Sequence, residues 1–133
     1  MAFADDGSLF VTEVTPGKHR VMVFDPAGNL RFTFGKEGKG DGEFSFPNAV
    51  VVDRRGRIYV SDSNNGRVQV FDAAGKLAYK IEGRGEGGLG FPRGLAIDRR
   101  DRLFVVDTLS GLIRVYNVSS TPVLVYSFGD AAA

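Results

Sequence analysis

The run Phe46-Pro47-Asn48-Ala49-Val50-Val51-Val52-Asp53-Arg54-Arg55-Gly56-Arg57-Ile58-Tyr59-Val60-Ser61-Asp62 decides the reading of this chain. Its first apolar stretch is continuous, a two-residue tip follows at Arg55-Gly56, and a second apolar stretch ends on an acidic residue. Phe-Pro returns as Phe91-Pro92, and Leu95 to Val105 repeats Val50 to Val60. A third copy, Met1 to Val11, opens the chain. A repeat of about 45 residues is the mark of an array of like units, each burying its apolar faces against a neighbour.

Each copy runs on in the same order. An acidic residue (Glu13, Asp62, Asp107) is followed by a polar loop and an apolar run ending in an aromatic: Val21 to Phe24, Val68 to Phe71, Ile113 to Tyr116. A fourth segment alternates: Leu30, Phe32, Phe34; Leu77, Tyr79, Ile81; Leu124, Tyr126, Phe128. Each unit therefore predicts four short strands, a to d. Strands a (48–53, 93–98) and b (57–62, 102–107) have the continuous apolar character of strands covered on both faces. Strand d has the alternation of an outer strand with one wetter face. The expectation is an all-β chain of three four-stranded antiparallel propeller blades, with strand a near the central axis. Asp25-Pro26-Ala27-Gly28 and Asp72-Ala73-Ala74-Gly75 predict c–d hairpins with Gly at a positive-φ bulge position. The third unit, Asn117 to Pro122, is longer there and lacks Gly.

The sequence contains no Trp, which argues against the WD type of blade. It resembles the NHL repeat, in Phe46 to Asp53 and in Gly56-Arg57-Ile58-Tyr59-Val60-Ser61-Asp62-Ser63-Asn64-Asn65-Gly66-Arg67-Val68-Gln69-Val70-Phe71. The third unit departs at Leu109-Ser110, and the first has Glu13 for Asp and a longer loop. The resemblance implies a six-bladed propeller, of which residues 1–130 would supply half: blades at about 1–45, 46–90 and 91–130, with 131–133 a tail or cloning scar. It also implies that the b–c loops and d–a connectors share a ligand-facing rim. Lys18, His19, Arg20, Asn64, Asn65, Arg67, Arg84 and Arg93 are the candidate rim residues. Asp53, Asp62, Asp98 and Asp107 are expected to organise the blades through turn hydrogen bonds and arginine pairing.

Composition narrows function. Net charge is +1, and the paired arginines 54–55 and 99–100 give way to Asp5-Asp6 in the first unit, so no basic stripe for nucleic acid runs round the rim. These arginines are expected to be solvated turn tips. Cysteine is absent, and His19 is the only histidine, flanked by Lys18 and Arg20 and expected at the surface. No catalytic, metal or cofactor site is expected, though Glu13, Asp62 and Asp107 are considered as a calcium ring. The glycine-rich runs Gly35 to Gly42 and Gly83 to Gly88 lack the Gly-Lys-Ser/Thr of a phosphate loop and are expected to be solvated connectors. No apolar stretch reaches the roughly 20 residues of a membrane helix.

The function expected is that of a non-catalytic binding or scaffold module, with a protein or peptide at the rim and a second copy of the chain completing the ring. One alternative is half of a propeller lyase whose metal ligands lie in other blades. The other is an RNA-binding module.

Overall fold

The computed structural model describes residues 1–82 and 89–129. Among these, twelve strands form three four-stranded antiparallel sheets, each ordered as it occurs in the chain. The first sheet holds β1 (Ala2–Phe3), β2 (Leu9–Thr15), β3 (Lys18–Phe24) and β4 (Leu30–Phe34). The second holds β5 (Pro47–Val52), β6 (Ile58–Asp62), β7 (Arg67–Phe71) and β8 (Leu77–Ile81). The third holds β9 (Pro92–Ile97), β10 (Arg102–Asp107), β11 (Leu112–Asn117) and β12 (Val123–Phe128). The repeat thus reads out as three propeller blades, and the predicted strands of the second and third agree with the observed ones to within a residue or two. In the first blade the loop expected from Glu13 to Arg20 shrinks to Pro16-Gly17, and Lys18, His19 and Arg20 belong to β3.

The sheets fan. Their close approaches run between the first two strands of each blade, β1 and β2 against β5, and β5 and β6 against β9. Two apolar layers fill the gaps. Phe10, Val21 and Val23 of the first blade meet Val50, Ile58, Val60 and Phe71 of the second, with Phe44 of the connector sealed between them. On the other side, Tyr59, Val68, Val70 and Ile81 meet Leu103, Val105 and Tyr116 of the third blade. Successive residues of the middle blade point to opposite layers, as a pleated strand requires. This is why β6 and β7 are buried along their whole length. Strand β5 is less covered than its apolar run predicts: Asn48 is exposed, and Ala49, Val51 and Val52 are half-buried. It lies at the inner edge of the fan and has no strand beyond it.

Both predicted glycine bulges are present. Gly28 and Gly75 have φ of 90° and 85°, and the c–d register shifts beside each. The third hairpin shifts register at the same place without glycine. There the Asn117 side chain takes the N–H and hydroxyl of Ser119, holding the longer turn.

Candidate functional site

The end of each second strand builds the rim that carries the b–c loops. A single turn of 3-10 helix, Ser63–Asn65, follows β6, and Gly66 closes it in the left-handed region. Asp62 is the hub. Its Oδ1 accepts the Ser45 N–H at 2.7 Å, and its Oδ2 accepts from Arg67 Nε at 2.8 Å and Asn65 Nδ2 at 3.0 Å. Arg67 also donates to the carbonyls of Gly40 and Glu43, and Gln69 donates to the same Glu43 carbonyl. The glycine-rich connector is thereby lashed to the loop it passes. A parallel bridge between Glu37 and Phe44 and the burial of Phe44 fix it further. Gly35, Lys36, Glu37, Lys39, Gly40 and Asp41 are exposed, so this connector is solvated as expected and anchored as well; the run Gly83 to Gly88 lies outside the described residues.

Asp107 repeats the arrangement in the third blade. It accepts the N–H groups of Phe91 at 2.9 Å and Gly90 at 3.2 Å, together with the Ser110 hydroxyl at 3.1 Å. Burial works to raise the Asp107 carboxyl, and these hydrogen bonds outweigh it and hold the group below its ordinary value. Arg114 stands 3.8 Å away, so this blade has a looser ion pair than the Asp62–Arg67 pair. In the first blade Glu13 receives Arg20 Nε at 2.6 Å. Each of the three carboxylates is thus engaged within its own blade. Among the described residues no group of three His, Cys, Asp or Glu side chains is placed to hold a metal ion, so the calcium ring considered from the sequence does not form.

On the opposite rim Asp53 and Asp98 organise the a–b turns as expected. Asp53 takes the backbone N–H of Arg55 and Arg57, the Arg57 Nε at 2.8 Å and the buried Tyr59 hydroxyl at 2.8 Å. Burial raises its carboxyl, and these donors more than reverse the effect. Asp98 repeats the pattern with Arg100 and Arg102. The arginine pair is not wholly the solvated tip expected. Arg54 and Arg55 reach Asp101 of the next blade at 3.2 and 3.0 Å, and Arg55 and Arg57 donate to the Val118 carbonyl beyond it. Asp101 has positive φ, a strain that this cross-blade pairing holds in place.

The candidate rim residues separate. His19 is 3% exposed and is not the surface residue expected. Its Nδ1 accepts the Phe46 N–H at 3.0 Å, and the two rings meet edge to face at 4.7 Å. Phe46 has φ of 56°, which a bulky residue adopts only when its surroundings hold it. Arg67 is 4% exposed and, with Asn65, is spent on Asp62 and the connector, which removes both from the accessible rim. Arg20 is half-buried on Glu13. Lys18, Asn64 and Arg93 are exposed. Arg84 lies outside the described residues.

Asn64 and Arg93 share a hollow of about 270 Å³ with Phe46, Asn48 and Phe91, at the junction of the second and third blades. Serine hydroxyls fix the strands that carry its lining: Ser61 donates to the Arg93 carbonyl at 2.8 Å and Ser63 to that of Pro92, while Asn48 donates to Ser63 at 2.7 Å. The sequence reading missed these serines. Their polar side chains in otherwise apolar strands were the available signal.

A protein-family model, the NHL repeat, matches residues 44–71, which hold Asp62, its loop and Arg67. That stretch is an NHL repeat. The chain is similar to protein lin-41 of Caenorhabditis elegans, 54% identical over 48 residues, which are 36% of this chain and 4% of the relative. It is also similar to the E3 ubiquitin-protein ligase TRIM71 of Rattus norvegicus, 37% identical over 75 residues, covering 56% and 8% of the two chains. The chain therefore spans less than a tenth of either relative. The fold is shared with a solved structure of catalytically inactive virginiamycin B lyase from Staphylococcus aureus with quinupristin. That likeness has a TM-score of 0.71 at 15% identity and covers 98% of this chain and 40% of the lyase. It bears on the propeller architecture alone.

Proposed function

We propose that this chain is a non-catalytic NHL binding module that takes an acidic peptide at the hollow between its second and third blades, in a ring completed by a second copy. The hollow carries the reading. It sets two phenylalanine rings beside two amides and a guanidinium. Arg93 has no side-chain partner among the described residues, so a ligand carboxylate meets an uncommitted charge. The rings favour an aromatic or aliphatic neighbour to that carboxylate. The serine hydrogen bonds fix the site on strand ends, where positioning is rigid.

Ring completion is supported by the surfaces at the two ends of the fan. Both terminal blades leave large apolar side chains exposed, among them Phe3, Leu30, Tyr126 and Phe128. Two closing contacts, each on the order of 1,000 Å² in total, fall in the range of specific interfaces.

The lyase alternative, whose metal ligands would lie in other blades, draws no support from this chain: its fold likeness to a lyase is at 15% identity and bears on architecture alone. The RNA alternative has a net charge of +1 against it. The test is fluorescence anisotropy with capped pentapeptides that place Asp or Glu beside Phe, Tyr or Leu, run against a single-stranded RNA. Peptide binding that weakens about tenfold in Arg93→Glu is expected. Binding confined to the RNA, or peptide binding indifferent to Arg93→Glu, would contradict the reading.

A further inference from the structure

The two faces at the ends of the fan are unlike, and each matches a half of the junctions already formed inside the chain. At the first junction Phe32 and Phe34 of β4 lie over the c–d turn of the second blade. A Cβ on Gly75 would come within 3.1 Å of Phe34 and 3.4 Å of Phe32, and the Phe34 ring lies 4.9 Å from Phe71. The fit is of two rings over a glycine, with an aromatic behind.

Both halves recur at the free ends. Tyr126 and Phe128 of β12 hold the strand places of Phe32 and Phe34. Tyr126 pairs with Val115 as Phe32 does with Val23, and Phe128 pairs with Ile113 as Phe34 does with Val21. The two ring pairs have the same centroid separation, 6.1 Å. Yet Tyr126 and Phe128 are 45% and 46% exposed, because none of the described residues covers them. In the first blade, Gly28 and Phe24 hold the places of Gly75 and Phe71. No atom stands within 4 Å of a Cβ built on Gly28. Instead there is an apolar hollow of about 270 Å³ lined by Phe3, Leu9, Phe24, Pro26 and Gly28.

At the second junction Arg54 and Arg55 reach across to Asp101. The first blade has Gly7 in the place of Asp101, and Gly7 lines the free hollow. Asp5 and Asp6 face the other way, Asp6 beside Val52, Gly56 and Ala73 of the second blade.

We infer that Tyr126 and Phe128 of one copy seat over Gly28 and Phe24 in the hollow of a second copy. This rests on the ring-completion reading above and specifies its contact. The contact is heterologous, last blade onto first. A two-fold axis along the propeller axis makes it twice and leaves no free end.

This sequence has no cysteine, so single cysteines report one contact each. Copies carrying Phe3→Cys are mixed with copies carrying Tyr126→Cys under mild oxidation, with sedimentation velocity on the unmodified chain alongside. A disulfide-linked pair in the mixture, absent from either variant alone, is expected. Phe128→Glu, which buries an unpaired charge in the contact, should weaken association about tenfold or more, and circular dichroism checks that the fold is kept. An unmodified dimer with no cross-link and no response to Phe128→Glu would overturn this contact while leaving ring completion by another geometry. A monomeric unmodified chain would overturn both.

Discussion

Arg67 Nε lies 2.8 Å from Asp62 Oδ2, and both side chains are closed off from solvent. A buried ion pair is costly to desolvate, and here further hydrogen bonds offset the cost: Asp62 receives Ser45 and Asn65, and Arg67 reaches two connector carbonyls. Removing one member leaves the other buried, charged and unmatched. Arg67→Ala should therefore cost about 3–5 kcal/mol. Arg20→Ala, which opens the half-exposed pair with Glu13, should cost under about 1 kcal/mol. Urea unfolding of the two variants side by side measures the difference.

Acid should weaken the fold through the same class of residue. The carboxyls of Asp53, Asp98 and Asp107 are held below their ordinary value: burial opposes this, and hydrogen bonds from arginine, tyrosine, serine and backbone prevail. A carboxyl depressed in the folded state contributes stability above the unfolded value of about 4 and loses it as pH falls through the folded value. Urea midpoints should be level from about pH 5 to 7 and fall below about pH 4. Asp53→Asn should lower the neutral plateau and flatten that fall. At the alkaline end burial pushes the Tyr59 hydroxyl up, and Tyr116 up to about 12. Their contribution is present below about pH 10 and declines above it.

Two glycines with nearly equal φ separate backbone strain from crowding. Gly17 has φ of 80° and open space around its Cβ position; Gly75 has φ of 85° and the Phe34 ring 3.1 Å away. Gly17→Ala should cost about 1 kcal/mol, the strain alone. Gly75→Ala should cost more, because the ring of the neighbouring blade must also move. Thermal unfolding of both variants checks the order.

His19 should prove structural. Substitution by Ala removes the acceptor for the Phe46 N–H and leaves a gap where the buried imidazole packs on the Phe46 ring, a loss of about 1–3 kcal/mol. His19→Asn offers an oxygen near the Nδ1 position and should recover part of it. A chemical-denaturation series on the three chains settles the order of stability.

The sequence made the strands, their order and both glycine turns legible, because period and turn chemistry are local. The Asp hubs were legible too, since an acidic residue closing each b strand before a polar loop has few other uses. His19 was not. Lys18 and Arg20 on either side pointed to the surface, but successive strand residues face opposite ways, and the alternation of β3 carries His19 inward. Nor could spacing show that Arg54 and Arg55 answer Asp101, 47 and 46 positions further on, because that pairing exists only once two blades have stacked. Arg67 and Asn65 were placed on the rim with Asn64, and only the course of the connector shows which of the three it covers. The likeness of Tyr126 and Phe128 to Phe32 and Phe34 was visible in the repeat. The matching hollow on the first blade was not, since it is made of turn geometry.

Sedimentation equilibrium of the unmodified chain tests the stacking account most directly. A chain whose blades each require a like neighbour on both sides should sediment at twice its 14.4 kDa mass at micromolar concentration. A single species of 14.4 kDa persisting at the highest attainable concentration would contradict it.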